Sequence, residues 1–366
     1  MIFILGLGAA GNKAAIRAME LGIVNSVYTT LINSTEKDIP EKYKDNSIII
    51  GNGLKGCGKE RNISKKAIIP FLKETEIFNN IPADVDRVVI VTSTEGGTGS
   101  GSTPLLAKYI RDVIGINTSI FAFTGFENDA RGLNNTVNFM KELDDETTIQ
   151  IISNKKFLED ANNNFIKAQE LANDEFCKRI VIMSGSILEE SDQNIDDTDL
   201  HKLIDAPGLL DIVYTDIENP IKNTESFNKL CSNIIDNSKS IDFEPTASRI
   251  GVIFNGKPSS KDVIDYSFNS IKNKYGEPYE VYTHLQDNTN YTTEFISIIA
   301  SGMKLPIEAI EKTYKEYLDR TSKVSKDKDS FFDIINEYKD SEEDEVFNMR
   351  ERHSKSNKDD FFSKNF

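Results

Sequence analysis

Thr94-Glu95-Gly96-Gly97-Thr98-Gly99-Ser100-Gly101-Ser102-Thr103-Pro104 crowds glycines into positions 96, 97, 99 and 101. The apolar run 88–91 precedes it and the helix-like segment 105–110 follows. Glycine loses more entropy on ordering than any other residue, so such a cluster implies positive φ angles or something pressing on bare backbone. At a strand-to-helix junction the unpaired N–H groups and the positive end of the helix dipole face outward, which suits an anion such as phosphate. The hydroxyls of Thr98, Ser100, Ser102 and Thr103 are candidate further donors. A turn that merely packs tightly explains a lone Gly-Gly, not this density.

The chain around this loop has 366 residues, enough for a sizeable core and about two domains. Its 59 acidic and 43 basic residues leave a net charge of -16. That balance argues against general affinity for nucleic acid or an anionic membrane and suits a cytoplasmic enzyme. Cys57, Cys177 and Cys231 lack metal-ligand spacing and read as reduced thiols. The opening MIFILGLGAAG reads as a first strand and not a signal peptide, and no run approaches the length of a membrane span.

Strands are expected at 2–5, 27–32, 47–50, 87–92, 119–124 and 147–152, with helices at 9–21, 64–78, 102–114 and 128–143. Strict alternation of strand and helix means an α/β fold whose parallel sheet carries helices on both faces, with ligands at the carboxyl ends of the strands. A helix-favouring stretch follows at 162–187, then a polar acidic segment at 189–199 and a break at 206–208. Beyond residue 243, strands at 248–255, 280–285 and 294–301 and a helix at 261–274 predict a second, smaller α/β domain. Pro306 opens a further helix carrying Ile307, Ile310, Tyr314 and Tyr317 on one face. The tail after 321 is polar, with acids at 342–345 followed by Arg350, Arg352, Lys355 and Lys358 and then Phe361 and Phe362. Its composition is that of a solvated, mobile end that keeps room for a partner-binding motif.

Gly6-Leu7-Gly8-Ala9-Ala10-Gly11 is a literal G-x-G-x-x-G after a strand. Alone it suggests NAD or FAD, but the acid that holds the ribose about 20 residues on is missing, since the second strand ends Leu31-Ile32-Asn33-Ser34-Thr35. A second phosphate loop suggests instead a mononucleotide triphosphate gripped from two sides. Gly53-Leu54-Lys55-Gly56-Cys57-Gly58-Lys59 follows most of the Walker A pattern, but Glu60 stands where a magnesium-binding hydroxyl belongs. It reads as a third loop that closes on the terminal phosphate.

The three stretches 6–12, 31–35 and 96–101, with Phe126-Glu127-Asn128-Asp129-Ala130-Arg131, resemble the tubulin/FtsZ superfamily of GTPases in order and content. The resemblance covers about 1–320 and implies a GTP-binding domain at 1–160. It further implies a central helix with acidic insertion and catalytic loop at 161–242, an activation domain at 243–304, a C-terminal helix at 305–340 and a tail at 341–366. It implies that GTP or GDP with Mg²⁺ sits on Gly8, Ala9, Gly11, Asn12, Gly96, Gly97, Thr98, Gly99, Ser100 and Gly101. Glu127 and Arg131 fall at ribose positions; without the loops they would read as an i, i+4 salt bridge. Asn33 and Asn154 match nucleotide-contacting positions, and Asn173, in Leu171-Ala172-Asn173-Asp174, matches the asparagine whose amide reads guanine. Upstream, where the family often stacks an aromatic on the base, stands Gln169, with Phe165 nearby. Residues 207–216 resemble the loop that one subunit inserts into its neighbour's site, which implies Asp216 as catalytic acid and Asp211 as its helper; acids near a helix start are also commonly caps.

Together these imply a GTPase whose subunits join head to tail with hydrolysis at the junction. The tail and divergent loop resemble the TubZ proteins that segregate plasmid or phage DNA through a DNA-bound TubR-like adaptor. An FtsZ-type division GTPase is the nearest alternative. A nicotinamide-dependent oxidoreductase or a nucleotide sensor that does not polymerise are alternatives of other classes.

Overall fold

The computed structural model describes residues 1–74, 78, 81–188, 194–217, 221–256, 262–287 and 294–322. Its first half is the expected alternation: β1 (Ile2–Leu7), α1 (Gly8–Glu20), β2 (Thr29–Asn33), β3 (Ser47–Ile49), α2 (Arg61–Glu74), β4 (Arg87–Ser93), α3 (Thr98–Tyr109), β5 (Asn117–Thr124), α4 (Ala130–Lys141) and β6 (Thr148–Ser153). The order β3-β2-β1-β4-β5-β6 is parallel throughout. All of β1 and β6 is buried, because helices cover both faces of the sheet.

The second half continues the same sheet. It comprises α5 (Phe165–Met183), α6 (Asp197–Ile204), β7 (Gly208–Ile217), α7 (Thr224–Asp236), β8 (Arg249–Gly256), α8 (Asn269–Tyr275), β9 (Glu280–Asp287), β10 (Glu294–Met303) and α9 (Ile307–Ser322). The sheet runs on from β6 as β7-β10-β8-β9, ten strands in all, with β10 antiparallel to both neighbours. The C-terminal helix α9 returns to the first half and docks on α4, where the Tyr317 hydroxyl donates to the Asn128 carbonyl (2.8 Å) and Lys141 pairs with Glu311.

Three expectations are corrected here. All but the first of residues 207–216 lie in the strand β7 and not in a loop: Leu209, Leu210, Ile212 and Val213 are buried, and the register pairs Asp211 with Ala300 and Asp216 with Phe295. The helix expected at 261–274 is shortened to α8, which starts after Phe268 in a left-handed conformation (φ 51°). The helix expected at 102 begins at Thr98, inside the glycine cluster, despite glycine's poor helix propensity. Residue 261, the acidic segment at 189–193, and the tail with Arg350, Arg352, Lys355 and Lys358 lie outside the described residues.

The two halves are joined through a buried polar knot. Arg179 on α5 and Asp211 on β7 are both fully buried and pair at 3.1 Å. Asp211 also accepts from Ser240 (2.6 Å), Ser238 (2.9 Å) and Tyr275 (2.8 Å), while Arg179 also binds Glu175 at 2.7 Å. Burial, then the Asp211 charge, pushes the Tyr275 hydroxyl well above its ordinary pKa, which keeps it a donor. Removing one charge strands the other in a low dielectric. Arg179→Met is expected to lower unfolding free energy by about 3–5 kcal/mol in denaturant titration, and adding Asp211→Asn to restore part of it.

Candidate functional site

The carboxyl ends of β1, β2 and β4 open onto a cleft of about 390 Å³. Its floor is where two glycine loops touch backbone to backbone. Gly8 turns the chain from β1 into α1 with φ 77°, and a Cβ there would sit 3.1 Å from the Gly99 nitrogen. A Cβ on Gly99 would overlap the Thr92 hydroxyl at 2.2 Å. The N-termini of α1 and α3 therefore open into one cleft, and their unpaired N–H groups make it an anion site.

The remaining glycines divide by purpose. A Cβ on Gly11 would lie 1.9 Å from the Val91 carbonyl, and one on Gly101 would lie 2.4 Å from that of Arg61. Both serve helix packing. Gly96 has nothing within 4 Å on that side, so its bareness serves the cleft. The hydroxyls divide too. Ser100 bonds back to the Gly96 carbonyl, Thr103 to Gly99 (2.7 Å) and Ser102 to Ser64 (3.2 Å). Only Thr98 of the four lines the cleft, sharing a 2.7 Å hydrogen bond with Ser34. Pro104 cannot donate to the Ser100 carbonyl four residues back, and Arg61 supplies that donor at 3.2 Å while held by Glu142.

Of the expected ligand residues, Gly8, Ala9, Asn33, Gly96, Gly97, Thr98 and Gly99 line the cleft, whereas Gly11, Asn12, Ser100 and Gly101 lie behind it. Asn12 is fully buried, tying α1 to β2 through the Ile32 carbonyl (3.3 Å), with its Oδ1 unpartnered. Asn154, just past β6, likewise buries an unpartnered Oδ1. Asn173 is half-buried on α5 beside Asp174, which anchors that helix to Arg17 of α1 (2.6 Å). Glu127 and Arg131 do not pair with each other: Glu127 precedes α4 at φ 56° and binds Lys155 (2.6 Å), and Arg131 binds Glu60. Phe165 is 51% exposed and packs on Phe126 with ring centroids 4.6 Å apart. Lys37 and Asp38, which no sequence motif marks, also line the cleft. Behind Gly96, Glu95 accepts from the Gly125 N–H (2.9 Å), and burial pushes its carboxyl above the ordinary range.

The acids lie elsewhere. Asp211 is sealed in the polar knot. Asp216 is exposed, but at the carboxyl end of β7, which starts beside β6 and runs parallel to it. It therefore does not sit at the pole opposite the cleft. That pole is reached by α5, about 28 Å long, which ends with Met183 on Gln150 near the start of β6. There α6 packs against the start of β4, with Arg87 bound to Asp205 and His201 (3.1 Å). At its head, Asp196 caps the helix by accepting from the Asp199 N–H (2.8 Å), and Asp199 stands half-exposed with Lys202 at 3.6 Å. An acidic cap one helix length beyond Asn173 is the signal that could have located these residues.

Residues 1–162 match the Tubulin/FtsZ family, GTPase domain. This part of the chain is similar to the tubulin/FtsZ GTPase domain. The chain is 25% identical to the mitochondrial division protein fszB of Dictyostelium discoideum over 236 residues, 63% of this chain and 59% of that protein's length. Solved structures share the fold of the tubulin/FtsZ proteins over both halves. A GTPγS-form protofilament of Bacillus thuringiensis serovar israelensis TubZ aligns with TM-score 0.71 and 18% identity, covering 88% of this chain and 92% of that one. A GTPγS-bound protofilament of Haloferax volcanii CetZ2 aligns with TM-score 0.69 and 16% identity, covering 88% and 99%.

The division of glycines is testable. Gly96→Ala should bind a fluorescent GTP analogue about tenfold more weakly at unchanged melting temperature. Gly11→Ala should instead cost about 1–3 kcal/mol or more of stability, because its methyl overlaps a main-chain carbonyl.

Proposed function

We propose that this protein is a GTPase whose subunits assemble head to tail, each completing the nucleotide site of the next. The observation that carries this reading is polarity: a phosphate cleft at one pole and the acidic head of α6 at the other. A head-to-tail contact brings Asp199 of one subunit toward its neighbour's cleft, where a carboxylate can orient the attacking water. Hydrolysis otherwise needs positioning and neutralisation of charge. We assign that role to Asp199, with Asp196 holding its helix, in place of Asp216 and Asp211. The protofilament form of the TubZ and CetZ2 structures supports self-assembly.

The α1 and α3 N-termini hold the phosphates, with Asn173, Asn33 and Asn154 as candidates for the base and ribose. Glu127 and Arg131 reach the ribose only by leaving Lys155 and Glu60. Mg²⁺ arriving with the nucleotide would supply neutralisation of phosphate charge. Among the described residues no three His, Cys, Asp or Glu side chains cluster to hold a metal ion. Its ligands would be phosphate oxygens and water, with Asp38 the carboxylate lining the cleft.

The finer reading is a cytoplasmic filament that segregates plasmid or phage DNA, gripping a DNA-bound TubR-like adaptor through the basic residues of its tail. No described helix is long and apolar enough to cross a membrane.

Light scattering and phosphate release, followed together after adding GTP and Mg²⁺ to micromolar protein, test the assignment. Wild type should scatter transiently while releasing phosphate. Asp199→Ala should scatter persistently with release reduced at least about a hundredfold, and Asp216→Ala should behave as wild type. The reverse pattern restores Asp216, and absence of scattering from all three removes the polymer.

A further inference from the structure

The C-terminal helix α9 carries no buried residue, yet it reaches from the second half of the molecule to the cleft end of the first. Near its start Ile307 and Ile310 pack on the main core, and further along its contacts become polar. Glu311 pairs with Lys141, the last residue of α4, at 2.5 Å. Tyr317 then donates its hydroxyl to the Asn128 carbonyl just ahead of α4, at 2.8 Å. The strap is thus tied at both ends of α4. Its tie at the head is to main chain, so it fixes the path of the backbone there and not a side chain.

That path is an unusual one. Glu127 has φ 56°, in the left-handed region that residues with a Cβ avoid, and such a conformation persists where the surroundings hold it. On the helix side the turn is held by Asp129, which caps α4 by accepting from the Gly132 N–H (2.7 Å) and pairs with Lys59 (2.5 Å). On the outer side it is held by Tyr317. The Glu127 carboxylate itself pairs with Lys155 in a solvent-exposed contact, of a kind that contributes little and exchanges easily. Fixed backbone under an exchangeable carboxylate suits a side chain that changes partner when a ligand arrives. Its position agrees. The turn follows β5, which pairs with β4 through Phe123 and Ser93, and Ser93 lines the cleft. A nucleotide with its phosphates in the cleft would extend its sugar along this side of the carboxyl ends.

We propose that Tyr317 is a positioning residue for the nucleotide's sugar, holding the 127–129 turn from α9 so that Glu127 can exchange Lys155 for the ribose hydroxyls. This rests on the nucleotide reading above and adds to it a residue from the other half of the molecule. The ribose hydroxyls donate and the carboxylate accepts, and a hydrogen bond to a charged group is worth about tenfold to a hundredfold in affinity. Tyr317 acts through the turn, so its removal weakens that one contact and leaves the hold on the phosphates.

The test is calorimetric titration of full-length protein with GDP and with 2′,3′-dideoxy-GDP, which lacks both hydroxyls. Wild type should bind GDP about tenfold more tightly than the dideoxy compound. Tyr317→Phe keeps the ring and removes only the donor. It should bind GDP about fivefold more weakly and the dideoxy compound within about twofold of wild type, so the preference for a full ribose shrinks. The ratio of the two affinities is read on one preparation, so a partly misfolded variant does not imitate the result. Glu311→Gln, which loosens α9 at the far end of α4, should keep the preference. Equal loss for both ligands in Tyr317→Phe, or loss for neither, overturns the assignment. So does a Glu311→Gln variant that shrinks the preference as far, because the effect then belongs to docking of the whole helix. A wild type that binds both ligands alike removes the sugar contact of Glu127 and the role of Tyr317 with it, while nucleotide binding stands. A wild type that binds neither overturns the nucleotide reading as well.

Discussion

The structure depends on a place where side chains are forbidden. Gly8 and Gly99 bring the first turns of α1 and α3 so close that any Cβ would hold them apart. Their free amides then face a common space, and two partial positive ends act on one ligand. The neighbouring arrangements answer to this contact. Hydroxyls that would crowd the floor bond back to their own helix, and Arg61 supplies the donor that Pro104 lacks. The cleft is therefore preorganised by packing, not by the ligand.

The first half was legible because each glycine loop ends a strand and opens a helix, and apolar runs alternate with amphipathic ones. What could not be read was which glycine served which purpose. Packing and ligand access both demand a missing Cβ, so Gly11 and Gly96 look alike in sequence and differ only in what lies beside them. The acids were hard to place for another reason. Asp216 sits in a motif that resembles a junction loop, yet the apolar run from Leu209 to Val213 needs a sheet, and β10 provides one along its whole length. Once that segment is a strand, Asp211 points inward to Arg179 and Asp216 ends at the same pole as the cleft. The acids at 196–199 looked like a solvated insertion because nothing in the sequence says where α5 ends in space. Glu127 and Arg131 keep helical spacing but only Arg131 is in the helix, so the i, i+4 salt bridge that spacing alone suggests gives way to Lys155 and Glu60.

The helix α5 acts as a ruler between the two ends of the molecule. It leaves the cleft side after β6, is pinned to α1 by Asp174 and to β7 by Arg179, and delivers α6 to the amino ends of the strands. Because the Arg179 pin is charged and buried, sliding by one turn would unpair groups that have no water to fall back on. The distance from cleft to acidic cap is thus held rigidly, and an assembly built on it inherits a fixed repeat.

The position of β10 has a consequence for how the chain comes to be folded. The six strands of the first half pair with neighbours close in sequence or one crossover away, and they can settle as they leave the ribosome. By contrast, β7 and β8 are separated in the sheet by β10, which is made last of the described strands. Until residue 303 has emerged, both expose a hydrogen-bonding edge with no partner, although the chain that will cover them is being made. A nascent chain whose first half has already folded would carry the phosphate cleft beside an open sheet edge, and a chaperone or an early ligand would have something to hold.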